Sequence, residues 1–148
     1  MKFRILTCIV ALLISATSFA EFRQFEEYDI KDEVVHMTTI KVDAGKGEDY
    51  LEGLAQTWVA SNQVAKDLGQ IEDFDVYVSR LPASGEFNVV LVTTMKSMGD
   101  FETTEKQFRE FMKKWGEERR EQNREIARKY PELRTIIGEY LLGEVVFN

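Results

Sequence analysis

Two hydrophobic periodicities alternate along this chain, and their order constrains the fold more than any other feature. Alternation of apolar and polar residues, which is typical of half-buried strands, predicts strands at residues 34–42, 71–81, 86–96 and 136–147. Apolar residues spaced three and four apart predict amphipathic helices at about 48–68 and 104–130. The predicted order is therefore β-α-β-β-α-β.

Local stop signals support these boundaries. Gly69 suits the C-terminal end of the first helix, and Pro131 disfavours helical geometry in the residue before it. The short stretch 82–85 (PASG) suits a hairpin between the second and third strands. The order predicts an α+β, ferredoxin-like domain, in which one four-stranded antiparallel sheet carries two helices on one face.

The N-terminus has the pattern of a cleavable export signal. Lys2 and Arg4 precede an apolar stretch, and small residues at Ser18 and Ala20 suit signal peptidase. We therefore expect a signal peptide at residues 1–20, an N-terminal arm at 21–33 and one domain at 34–148. The expected location is the periplasm or the extracellular space.

Charge and cysteine content narrow the function classes. The chain has a net charge of −7, and the signal contains two basic residues and no acidic one, so the mature form is more acidic still. An acidic surface repels phosphate backbones, which argues against nucleic acid as a partner. The only cysteine, Cys8, lies in the signal, so the mature form has no thiol for a disulfide, a nucleophile or a metal site.

No later apolar segment approaches the ~20 residues of a spanning helix, so we expect no membrane insertion after cleavage.

The predicted sheet is apolar on both faces. The face away from the helices is expected to carry Met37, Thr39, Tyr77, Val90, Val92, Leu141 and Val145. Such a face needs a second layer, and another copy of the chain could supply it. We therefore expect a homodimer.

The order, the length and the two-sided sheet resemble the dimeric α/β-barrel superfamily. Residues 34–41 (VVHMTTIK) are similar to the opening strand of stress-responsive A/B-barrel domains, and residues 50–79 resemble uncharacterised exported relatives. The resemblance covers about residues 34–147 and implies a homodimer in which two sheets form a barrel. Its members include haem-degrading monooxygenases, quinone-forming monooxygenases, polyketide cyclases and proteins without a known activity, so fold alone does not choose among them.

His36 is the only histidine and therefore the only candidate for imidazole acid–base chemistry. The alternative is a packed strand residue, which we favour because a lone histidine forms no catalytic set. One histidine excludes a two-histidine iron site and a three-histidine zinc site. Haem-degrading relatives carry an axial histidine on a helix, and neither predicted helix has one. We predict no cofactor and no metal.

Four further residues are candidates for a small-molecule site. Tyr77 could join His36 as a catalytic residue by donating its proton to a carbonyl group. Arg80 could bind an anionic group. Trp58 and Trp115 could line a pocket for an aromatic or polyketide-like ligand, although tryptophans at helical spacing more often belong to a core.

Residues 113–130 hold many basic side chains within an acidic chain. They could dock an acidic partner, but opposite charges three residues apart are more typical of a solvated helix face.

Two functions remain open. The first is an exported dimeric barrel that is non-catalytic or binds a small apolar molecule. The second is a cofactor-free monooxygenase or cyclase that acts on an aromatic or polyketide-like substrate and uses His36 and Tyr77. The second requires both side chains to face one cavity.

Overall fold

The computed structural model describes residues 22–81 and 85–148. The predicted signal peptide lies outside these residues. The strands are β1 (Tyr28–Val42), β2 (Asp73–Val78), β3 (Val89–Met95) and β4 (Arg134–Phe147). The α-helices are α1 (Gly47–Leu54), α2 (Ala60–Asp67), α3 (Glu105–Trp115) and α4 (Glu117–Ala127).

The strands form one sheet in the order β2-β3-β1-β4, and every neighbouring pair is antiparallel. In this order each helical connection joins two strands that are separated by a third, as expected for the split β-α-β arrangement. The predicted ferredoxin-like α+β class is therefore confirmed.

The first helical segment is continuous but changes its winding. A π-helical turn, Ala55–Val59, joins α1 to α2. Such turns insert an extra residue per hydrogen-bonded ring and often occur at functional sites. No periodicity of apolar residues distinguishes this turn from an ordinary helix, and the sequence did not predict it.

The second helical segment is divided in two. Gly116 separates α3 from α4 and has a φ angle of 87°, which glycine adopts far more readily than other residues. Thr104 and Gln107, which have the spacing of a capping box, form one at the start of α3. Along α4 the predicted i,i+3 ion pairs are present, at Arg120–Glu117, Arg124–Glu121 and Arg128–Glu125.

The core lies between the helices and one face of the sheet. Its buried members are Ile40, Val42, Tyr50, Leu54, Val89, Leu91 and Tyr130. Trp58, Val59, Val76, Ile126 and Leu133 pack against them at the edge. Burial of such side chains contributes ~1.5–3 kcal/mol each, so this layer accounts for much of the stability of one chain.

β1 begins at Tyr28, inside the segment expected to be an arm. Its first residues pair with the end of β4, from Tyr28↔Phe147 to Ile30↔Val145, beyond the point where β3 ends at Val34↔Met95. We call this two-stranded extension the terminal ribbon. Phe22 stacks on Tyr28 there, with ring centroids 5.3 Å apart.

No helix among residues 22–81 and 85–148 is long and apolar enough to cross a membrane.

Candidate functional site

The pairing register assigns the candidate side chains to faces of the sheet. His36 pairs with Thr93, and it has the strand parity of Ile40 and Val42, which face the helices. Tyr77 pairs with Val90, which pairs in turn with Thr39 of the opposite parity. His36 and Tyr77 therefore lie on opposite faces, and the structure does not bring them into one cavity.

His36 packs edge-on against Phe101, with ring centroids 5.6 Å apart. Its Nε2 lies 3.9 Å from the Glu139 carboxylate, and its side chain is 31% exposed. This is the environment of a partly buried strand residue with one distant carboxylate neighbour. A catalytic role for His36 stays a prediction, and Tyr77 takes no part in this environment.

The remaining candidates are dispersed. Trp115 is buried, stacks on Phe111 and has the Arg119 guanidinium 5.4 Å from its ring centroid. Trp58 is half-buried and lies edge-on to Phe74. Arg80 is exposed beyond the end of β2. Neither tryptophan lines the clefts described below, so their roles in ligand binding stay predictions.

One candidate small-molecule site is a cleft between α2, α3 and the end of β3, which we call the helix–sheet cleft. Its volume is about 330 Å³. Its apolar wall consists of Ala65, Ile71, Met95, Phe101, Phe108 and Phe111. Phe101 and Phe108 are 46% and 50% exposed, so much of this aromatic surface contacts water. Concave apolar walls of this size are typical of sites for small organic molecules.

Three side-chain amides supply polar groups in the same cleft, and hydrogen bonds anchor each of them. Asn62 donates to the backbone carbonyl of Trp58 (2.8 Å), and Gln70 donates to that of Gln107 (2.9 Å). The Gln107 side-chain oxygen accepts from Thr104 in the capping box. Within the described chain, the Asn62 and Gln70 side-chain oxygens and the Gln107 amide nitrogen form no hydrogen bond, so they remain free for a ligand.

The sequence did not identify this cleft as a site. Phe101, Phe108 and Phe111 were recognisable as an apolar stripe, which is also what a buried helix face looks like. The usable signal is that Phe101 precedes the Thr104 cap, so it belongs to a loop rather than to the helix. An aromatic residue in this loop enlarges the apolar surface that α3 alone would present.

The face of the sheet away from the helices, which we call the open face, is the second candidate surface. The register places Met37, Thr39, Tyr77, Val90 and Val92 on it, as predicted. Tyr140 and Leu142 also lie there, since they pair with Met37 and Val35, and both are more than two-fifths exposed.

Two residues expected on the open face lie elsewhere. Leu141 pairs with His36 and therefore faces the helices. The cause is an irregularity in β4 between Gly138 and Ile136, where one extra residue reverses the alternation along the strand. Val145 pairs with Ile30 in the terminal ribbon, outside the four-stranded part of the sheet.

Among residues 22–81 and 85–148 no group of three or more histidine, cysteine or acidic side chains is arranged to hold a metal ion.

No family model matches the chain, and no curated protein is significantly similar to it in sequence. Among solved structures the chain is similar to HapK from Hahella chejuensis, with a TM-score of 0.43 and 15% identity over 75% of this chain and 91% of that one. A dimeric protein of unknown function and ferredoxin-like fold from Bacteroides fragilis has a TM-score of 0.43 and 12% identity, over 80% and 99% of the two chains. A dimeric ferredoxin-like protein of unknown function from Thermobifida fusca has a TM-score of 0.39 and 8% identity, over 78% and 92%. The fold class of this chain rests on the order and connections of its own strands.

Proposed function

We propose that this protein is an exported, homodimeric α/β-barrel protein that binds a small, largely apolar molecule in the helix–sheet cleft. The observation that carries the proposal is the water-facing aromatic wall of that cleft beside free amide groups. A ligand that covers Phe101 and Phe108 removes apolar surface from water at ~25 cal/mol per Å², and the amides orient it.

The homodimer rests on the open face and on the terminal ribbon. Tyr77, Tyr140 and Leu142 are 57%, 46% and 43% exposed in one chain, and they lie on the same side of the sheet. In the ribbon Phe147 is 72% exposed. Two-stranded ribbons are marginally stable on their own, so both surfaces favour cover by a second copy.

Export rests on the signal pattern of residues 1–20. The N-terminal residue of protein recovered from the producing cells tests it, and Glu21 is the expected result. An intact N-terminus would contradict export through this signal.

The ligand site is tested with a neutral, apolar fluorescent probe, N-phenylnaphthylamine. We expect the probe to bind the wild-type protein with increased fluorescence, and Phe108→Ala to weaken binding about ten-fold, which corresponds to the loss of ~1.4 kcal/mol of contact. Phe87→Ala is the matched control, because Phe87 is 42% exposed but lies outside the cleft.

Equal weakening in the two variants would contradict the site, and so would the absence of binding to the wild-type protein. Native mass spectrometry of protein purified from its host complements this assay, since a retained apolar ligand would show both its mass and the number of chains.

A further inference from the structure

A polar cluster of three buried side chains and one half-buried arginine lies at the opposite end of the sheet from the helix–sheet cleft. Its members are Tyr50 of α1, Thr57 of the π-helical turn, Tyr130 and Arg134. Arg134 pairs with Val42 at one end of β1, whereas the cleft residue Met95 pairs with Val34. At ~3.3 Å per residue along β1, the two sites are roughly 25 Å apart.

The hydroxyl groups of Tyr130 and Thr57 form consecutive hydrogen bonds whose donors can be assigned. Thr57 donates its single proton to the backbone carbonyl of Gly53 at 2.9 Å. Because that proton is already used, the Tyr130 hydroxyl must be the donor in its contact with the Thr57 hydroxyl. This hydrogen bond holds the Tyr130 ring in one orientation.

Arg134 packs against two aromatic rings and is not paired with an acid. Its guanidinium carbon lies 5.2 Å from the Tyr130 ring centroid and 5.8 Å from the Tyr50 ring centroid. Among the described residues no carboxylate forms an ion pair with it, although the chain is acidic overall. Its buried Nε and the buried Tyr50 hydroxyl form no hydrogen bond of normal geometry, although the guanidinium is close enough to limit the rise in the Tyr50 pKa that burial causes.

A half-buried guanidinium without an ion-pair partner is costly unless something compensates it. The two rings offset part of that cost by cation–π attraction, but they leave its N–H donors unused. The terminal nitrogens are not enclosed, because Arg134 lines an open cleft of about 430 Å³ with Ala127, Tyr130, Pro131 and Ile136. This cleft therefore combines a cationic group that has free N–H donors with an apolar wall.

We propose that this second cleft binds a small aryl or alkyl carboxylate. Arg134 receives the carboxylate through its fork of N–H donors, and the apolar part of the ligand lies against Tyr130, Pro131 and Ile136. Arginine is suited to this task because its planar donors match both oxygens of a carboxylate. The site is independent of the apolar ligand proposed for the helix–sheet cleft.

Benzoate and its neutral analogue benzamide test the proposal by calorimetric titration. We expect benzoate to bind the wild-type protein and benzamide to bind at least about ten-fold more weakly, since it lacks the charge that Arg134 recognises. Arg134→Gln should abolish benzoate binding. Arg128→Gln is the matched control, because Arg128 is exposed and paired with Glu125 on α4.

Arg134→Lys keeps the charge without the fork, and it serves if Arg134→Gln fails to fold by circular dichroism. We expect it to weaken benzoate binding several-fold. The proposal is overturned if benzoate does not bind the wild-type protein, if benzamide binds equally well, or if both Arg134 variants retain wild-type affinity.

Discussion

The sequence allows two interpretations of His36, a packed strand residue or an acid–base catalyst. It shares a parity with core residues, and the structure places its ring against Phe101 with a carboxylate 3.9 Å away. It is neither fully enclosed nor joined to a second catalytic group. Packing therefore explains its position without an appeal to chemistry.

The packing role predicts the effect of His36→Ala. We expect the substitution to lower the free energy of unfolding by ~1–3 kcal/mol, because it removes buried area and the contact with Phe101. For a domain of this size the melting temperature should fall by several degrees. Thermal unfolding followed by circular dichroism measures this. A variant that keeps its melting temperature but loses a measurable activity would instead indicate a catalytic role.

Residue-level placement was predictable where a residue lies on a regular strand. Alternation correctly placed Met37, Val90 and Val92 on the open face. It was wrong for Leu141, since alternation holds only while the pairing has no extra residue. The extra residue in β4 depends on contacts with β1, which is almost a hundred residues away in the chain.

At the scale of elements, the approach of α4 to α1 depends on a glycine. A Cβ added at Gly53 would lie 3.2 Å from Ile126 Cγ2 and 3.2 Å from Tyr130 Cε1. Tyr130 cannot readily move, because Thr57 and Arg134 both hold it. Because Gly53 has no side chain, α1 and α4 can pack close together.

This contact predicts that Gly53→Ala is destabilising although alanine is the better helix former. We expect a loss of ~1–3 kcal/mol from overpacking, which exceeds the gain of up to ~1 kcal/mol in helix propensity. Gly47→Ala is the control, because no atom lies within 4 Å of its added Cβ. Chemical denaturation of both variants distinguishes the effects, and a Gly53→Ala protein as stable as the control would contradict the close packing.

At the scale of the whole molecule, the two faces of the sheet differ in how they are covered. One chain has a well-packed core on the helix side and exposed aromatic and aliphatic side chains on the other. Covering each of those side chains contributes ~1.5–3 kcal/mol, so a handful of them is enough to drive association if a second chain supplies the cover.

Association through the open face predicts that Val92→Glu dissociates the dimer. Val92 pairs with Met37 and Asp75 at the centre of that face, so a buried unpaired carboxylate there would oppose association. Val78→Glu is the control, because Val78 pairs with the helix-facing Val89 and is 49% exposed. Light scattering after gel filtration gives the mass of each species. A wild-type monomer at micromolar concentration would contradict the proposal.

The buried tyrosines predict a loss of stability in alkaline solution. Burial raises the pKa of the Tyr50 and Tyr130 hydroxyls above the ordinary value of 10.0. The folded state therefore keeps both protons at a pH where the unfolded state loses them. Their contribution to stability is complete below pH 10 and is lost as the pH rises through the folded-state pKa values.

Urea unfolding at several pH values measures this dependence. We expect the free energy of unfolding to fall above about pH 10, and Tyr130→Phe to reduce the steepness of that fall. Tyr28→Phe is the matched control, because it removes a hydroxyl outside the cluster. Equal slopes in the wild-type protein and the Tyr130→Phe variant would contradict the assignment.

The sequence by itself determined the order of the elements, the fold class and the cap at Thr104, because periodicity, turn residues and capping act over a few residues. Only the tertiary structure decided that His36 and Tyr77 face apart, that three phenylalanines border a cleft, and that Arg134 packs against two tyrosines without an ion pair. Those features depend on strand register and on how helices approach the sheet. They arise from contacts between residues far apart in the chain, and no local pattern encodes such contacts.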